Sequence, residues 1–188
     1  MFPVLTVFLA VRRRACLRLV LLAALFASPA FLAAAPVAGD WWGIVTWVVD
    51  GDTVRVRPLD KGGRAVPVRL HGIDAPEVCQ NGGTAARDAL ERQLKGQLVL
   101  IHSQAHDQYG RVIARLDVNG QDPAARMVAL GLAWSYQFRT GQGPYVALQR
   151  HAASQQLGVF ASGPAEEPAA FRKRHGACAH PPRLNRYR

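Results

Sequence analysis

Apolar and polar side chains trade places with a period close to two in five short runs: "GIVTWVV" (43–49), "TVRVR" (53–57), "VPVRLHG" (66–72), "QLVLIHS" (97–103) and "RVIARLDV" (111–118). That spacing sends alternate side chains to opposite faces and predicts half-buried β-strands. Asp50-Gly51 between the first two runs is a strong hairpin signal, and "DKGGR" supplies the next turn. The period changes from Thr84 to Lys95, where Leu90 and Leu94 share a helical face, Thr84 is placed as the N-cap and Gly96 as the stop. A second helix is predicted with Asp122 as cap, Pro123 in its first position and Gly131 beyond its end. Gly143-Pro144 opens a third, with Tyr145, Leu148 and Ala152 on one stripe. Five strands with one helix between the third and fourth, then more helices, is the order of an OB-type barrel, an α+β chain that is mainly β.

Length adds a bound. With 188 residues, 49% of them hydrophobic, 17 glycines, 12 prolines and no tandem repeat, the chain fits one domain with its own core plus tails. Residues 1–38 differ from the rest. Arg12, Arg13, Arg14 and Arg18 precede an uncharged Leu- and Ala-rich stretch, 19–39, that ends in small residues, the layout of a secretory signal. Ala30 in Ser-Pro-Ala and Ala35 in Ala-Ala-Ala, the latter weakened by Pro36, are the two cleavage points, the arginine run also resembles a twin-arginine signal, and the alternative is an uncleaved anchor formed by 19–39. The expectation is a secreted or periplasmic protein, with a domain over 39–162 and a linker and basic tail over 163–188.

The full chain carries 23 basic against 13 acidic side chains. Without residues 1–38 the balance is 19 to 13, a net of +6. Arg172, Lys173, Arg174, Arg183, Arg186 and Arg188 crowd the last 17 positions with no acid among them. Such a tail attracts polyanions in a salt-dependent way, or is simply solvated. Cys79 and Cys178 form an even pair for an oxidising compartment and are expected to be bridged. The alternative is a metal site in which Cys79 joins His175, Cys178 and His180, although that spacing matches no common zinc pattern.

Charge at the turns is the most informative feature. Val66, Val68 and Leu70 share the core face of their strand, so Arg69 projects from the other face; Arg111 stands outward at the mouth of the last strand. Asp50, Asp52, Asp74 and Glu77 place 4 of the 13 acids at turns that a barrel meander brings near one another. Their mutual repulsion calls for a cation, and all-oxygen ligands suit calcium first and magnesium second. Taken singly, each of these groups also fits an ordinary turn or surface pair.

"DGDTV" (50–54), "RLHGIDAPE" (69–77) and "DQYGR" (107–111), in that order, resemble the motifs of the staphylococcal nuclease family, and the similarity runs from about Val45 to Phe160. The resemblance implies an OB-fold five-stranded barrel with three helices and a calcium-dependent phosphodiesterase acting on DNA and RNA. It implies that Asp52, Asp74 and the Ala75 carbonyl hold the metal, with Ala75 standing where threonine is usual. Glu77 then positions or deprotonates the attacking water, and Arg69 and Arg111 grip the scissile phosphate. Gln108 stands where a lysine is found beside Tyr109. Tyr109, Trp134 and Tyr136 are the candidates for contact with the nucleic acid, the last two competing with a role in packing.

These residue types suit the chemistry independently. A cation and two guanidinium groups aimed at non-bridging oxygens offset the charge that builds when water attacks a phosphodiester. The expectation is therefore a monomeric nuclease with DNA and RNA as its partners and no obligate protein partner. The alternatives are an inactive nucleic-acid-binding OB module and a membrane-tethered envelope protein.

Overall fold

A computed structural model describes residues 39–60, 62–136, 140, 142–163, 165–176 and 178, all within one compact unit, Pro36–Arg188. Residues 1–38, His180 and the last three arginines lie outside the described residues. β1 (Gly39–Val48), β2 (Thr53–Pro58), β3 (Val66–Leu70), β5 (Leu98–His106) and β6 (Val112–Asp117) close into a barrel in the order β1-β2-β3-β6-β5. Every pairing is antiparallel except β3 with β6, which run parallel and join Arg69 to Ile113 in register. A parallel pair needs a long crossover, and here α1 (Gly83–Leu94) and β5 provide it. α2 (Pro123–Ala129) and α3 (Val146–Ser154) follow the barrel, and a 3₁₀ turn spans Gly158–Phe160.

The alternation is realised as expected. Val54, Val56, Val68, Leu70, Val112, Ala114 and Leu116 are buried, with Leu90 and Leu94 of α1 packed in the same core. Asp122 caps α2 by accepting hydrogen bonds from the backbone N–H groups of Ala124 and Ala125 at 2.9 and 3.3 Å. Its other oxygen accepts from the Tyr145 hydroxyl at 2.6 Å, which ties α3 to α2.

Several details depart from expectation. α1 is preceded by Gly82 in the left-handed region (φ 84°), and Thr84 makes no cap. Its first residue, Gly83, leaves no space for a side chain, because a Cβ there would lie 1.8 Å from the Glu77 carbonyl oxygen. Gly51 likewise does not adopt a positive φ. It is needed for closeness: a Cβ would come within 2.6 Å of the Ala75 Cβ and 2.8 Å of the Ala86 Cβ. The β1–β2 connection is thus pressed down onto the loop that carries Asp74 and Glu77.

Two elements went unanticipated. A small sheet pairs β4 (Ile73–Asp74) with β7 (Trp134–Ser135). A fourth helix, α4 (Pro168–His175), occupies part of the expected linker and tail. Cys79 and Cys178 are joined, with Cα atoms 5.8 Å apart and 99 positions between them in sequence, which excludes the four-ligand metal alternative that needed both thiols. A loop of about that length stabilises by up to about 4.7 kcal/mol in the chain-entropy account. Peptide mapping of unreduced protein is expected to recover Cys79 linked to Cys178; free thiols at both would overturn the pairing. Among the described residues, no helix is long and apolar enough to cross a membrane.

Candidate active site

The β1–β2 connection begins the site. Asp50 accepts a hydrogen bond from the Asp52 N–H at 3.0 Å, closing a local turn, and Gly51 lets that turn sit against Ala75. Asp52, 3% exposed, is thereby placed under the start of the Asp74–Glu77 loop. One of its oxygens accepts from the Ala75 N–H at 2.9 Å. The other accepts from the Thr53 hydroxyl at 2.9 Å and from Arg69 Nη1 at 2.5 Å.

Arg69 projects from the face of β3 opposite the core residues Val68 and Leu70, as parity requires, and its fork joins two strand ends. Nη1 meets Asp52, while Nη2 donates to Asp74 at 2.9 Å and to the Ile73 carbonyl at 3.3 Å. Burial alone would lower its pKa, but the carboxylates of Asp52 and Asp74 raise it, so the guanidinium stays charged. Its side chain is only 18% exposed, less accessible than outward parity suggests, because the acids enclose it.

The two acids of the β1–β2 turn are driven apart. Burial and then the negative charge of Asp52 push Asp50 up to about 8, so it holds its proton at neutral pH. Burial would also raise Asp52, but Arg69, the Ala75 N–H and the Thr53 hydroxyl outweigh it and keep that carboxyl below its ordinary value.

Glu77 hangs from a loop tied down at both ends. Its N–H donates to the Gln80 side chain at 3.2 Å and its carbonyl accepts from the Gln80 N–H at 2.8 Å, above the space left by Gly83. Arg111 enters from the far side. Its Nε donates to Asp107 at 2.6 Å and its Nη1 to the Thr53 hydroxyl at 3.4 Å. Asp107 also accepts from the N–H groups of Tyr109 and Arg111, so one carboxylate shapes the turn and aims the guanidinium.

A residue from the C-terminal helix completes the cluster, and sequence reasoning missed it. Arg172 Nη2 and Nη1 donate to the two oxygens of Asp74 at 2.9 and 3.1 Å, and Nη1 also reaches Glu77 at 3.1 Å. Burial would lower its pKa, but hydrogen bonds and charge from Asp74 and then Glu77 raise it. Arg172 of the basic tail is thus neither simply solvated nor free to attract polyanions, being seated in the acidic cluster. No local signal marks it, since its partners are 98 and 95 positions away. The result is a continuous chain of contacts: Arg111, Thr53, Asp52, Arg69, Asp74, Arg172, Glu77.

The three aromatic candidates are placed differently. Tyr109 is 74% exposed at the tip of the Asp107 turn, with the Arg111 guanidinium 5.5 Å from its ring centre. Trp134 is buried, meeting Phe160 edge-on at 5.6 Å between ring centres. Trp134 and the half-buried Tyr136 both line a cleft of about 260 Å³ that opens beside Asp74.

The donor chemistry of Asp52, Asp74 and Glu77 suits a hard divalent cation, and the Arg172 guanidinium is a positively charged stand-in across Asp74 and Glu77. Among the described residues no three His, Cys, Asp or Glu side chains form a ready-made metal-holding group. Arg69 and Arg172 occupy both oxygens of Asp74 and one each of Asp52 and Glu77.

Asp107 offers a test of positioning. Asp107→Asn keeps an acceptor for the turn but removes the charge that holds Arg111, so turnover is expected to fall about tenfold with the fold unchanged. The check is kcat alongside the thermal transition, and an unchanged kcat would show that Asp107 does not hold Arg111 for the reaction.

A family model described as a staphylococcal nuclease homologue matches residues 67–162. Protein ParB of Escherichia coli is 34% identical over 165 residues, covering 80% of this chain and 92% of that protein. An uncharacterized endonuclease of Haemophilus influenzae is 30% identical over 129 residues, covering 69% and 71%. The micrococcal nuclease of Shigella flexneri is 29% identical over 163 residues, covering 81% and 92%. The matched stretch contains Arg69, Asp74, Glu77 and Arg111 on the barrel that brings them together, and the chain belongs to the staphylococcal nuclease family.

Proposed function

We propose that the protein is a nuclease that hydrolyses phosphodiester bonds of both DNA and RNA with the help of calcium, magnesium being the second choice. The observation that carries this reading is the contact chain in which Arg69 bridges Asp52 and Asp74 while Arg111 reaches the same cluster through Thr53. Arg69 and Arg111 bind the non-bridging oxygens of the scissile phosphate from two sides. Glu77 orients the attacking water and takes its proton; Arg111 offsets charge on the leaving oxygen. Asp52, Asp74 and the Ala75 carbonyl would hold a hard cation, which when bound would supply further positive charge to the phosphate. Tyr136 and Trp134 line the cleft in which the adjoining nucleotide lies.

Retention of both arginines and the carboxylates supports an enzyme over a binding-only module. The bridge between Cys79 and Cys178 supports an oxidising compartment, and with the leader motif a secreted or periplasmic location. Digestion of plasmid DNA and of RNA with calcium, with magnesium and with chelator tests the activity. Cleavage of both polymers with calcium, abolished by chelator, is the expected result. Absence of cleavage with either cation would overturn it.

A further inference from the structure

α4 lies across the site on ties that are mostly polar. Of its residues only Pro168 is buried, and no side chain caps its N-terminus. Arg172 holds the helix to Asp74 and Glu77. The Gln80 side chain donates to the Glu166 carbonyl at 2.7 Å, and Cys178 is bonded to Cys79. Both of these ties end on the short loop that begins with Glu77. Glu167, Pro168 and Ala169 form one wall of the cleft that contains Asp74, Trp134 and Tyr136.

Guanidinium groups crowd the Asp74 carboxylate. One oxygen accepts from both Arg69 and Arg172, and the other accepts from Arg172. A divalent cation drawing on the same oxygens meets the positive charge of the seated Arg172 guanidinium, so the two occupants oppose each other. An element with so little apolar burial belongs to the part of a protein that opens at low free-energy cost. Covalent linkage through Cys178 keeps it at high effective concentration when it does open.

We propose that α4 is a tethered latch whose Arg172, seated on Asp74 and Glu77, competes with the divalent cation for Asp74, so that cation binding releases the helix and uncovers the cleft. This rests on the proposed use of a cation by Asp74. Linkage requires the two occupants to oppose each other equally: the cation weakens the seat of Arg172 by the factor by which Arg172 weakens the cation. A latch closed nine-tenths of the time lowers apparent cation affinity about tenfold.

Calcium titration by calorimetry on the full, oxidised protein tests the latch. Arg172→Gln is expected to bind calcium about tenfold tighter than the parent, and Cys178→Ser to shift affinity in the same direction by a smaller factor. Hydrogen exchange on the parent provides a second readout, with amides of Pro168–His175 expected to exchange faster on adding calcium. Equal or weaker calcium binding by Arg172→Gln would overturn the latch, as would exchange in α4 that does not respond to calcium. Tighter binding without any nucleic-acid cleavage would sink the nuclease reading while supporting the latch. No calcium binding by parent or variant would overturn both the latch and the calcium-dependent reading.

Discussion

Replacing Glu77 by glutamine is expected to cut turnover by about 10² or more at saturating substrate and cation, the range seen when a positioned acid-base group is removed. The substitution keeps the size of the side chain and an oxygen that can still accept from Arg172. The loop is independently held by Gln80 through both the N–H and the carbonyl of residue 77. Stability is therefore expected to change little while chemistry suffers, and kcat measured beside the thermal midpoint separates the two. An unchanged kcat would remove Glu77 from the reaction.

Arg69→Lys is the second large effect, and it strikes fold and chemistry together. One ammonium cannot reproduce a planar fork whose arms reach Asp52 and Asp74 at once. Losing one charge-assisted hydrogen bond to a buried carboxylate costs about 1.5–3 kcal/mol. Loss of a transition-state donor lowers turnover by about 10².

The stability loss should also depend on pH. Asp52 has its folded pKa below its unfolded one, so it stabilises the fold above about pH 4 and loses that contribution as pH falls through the folded value. Weakening Arg69 should make parent and variant stabilities converge in strong acid and diverge toward neutrality. Denaturant titrations across pH would show this, and near-parental activity in Arg69→Lys would mean that the grip needs only a point charge.

The barrel was legible because its strands are amphipathic on their own: Val66, Val68 and Leu70 declare a face, and Arg69 must then lie on the other. Asp122 before Pro123 was equally readable, since a cap and its helix are neighbours in sequence. β4 and β7 were not, as two-residue strands such as Ile73–Asp74 have no periodicity to detect. The Asp50-Gly51 pair signalled a turn, yet Gly51 is needed because Ala75 and Ala86 come close, a contact that only the folded chain creates.

α4 escaped for a related reason. Its sequence is polar, its one buried residue is a proline that also reads as a linker, and its partners lie nearly a hundred positions away. Of the site, the charged residues of the three turns were readable as candidates. The role of Asp107 in aiming Arg111 was not inferred, although it follows from a spacing of four residues across a tight turn.

The parallel pairing of β3 with β6 has a consequence for synthesis. Arg69 lies on β3, whereas the strand that seals the barrel beside it begins only after Arg111, with α1 and β5 translated in between. A nascent chain that has not passed β6 has an open barrel edge, and until residue 111 is made it lacks the arginine that reaches Asp52 through Thr53. Contacts between sequence-distant segments also form slowly compared with local ones. The contact chain from Arg111 to Glu77 therefore cannot assemble stepwise behind the ribosome; it waits for β6 to close the barrel and, for Arg172, for α4 as well.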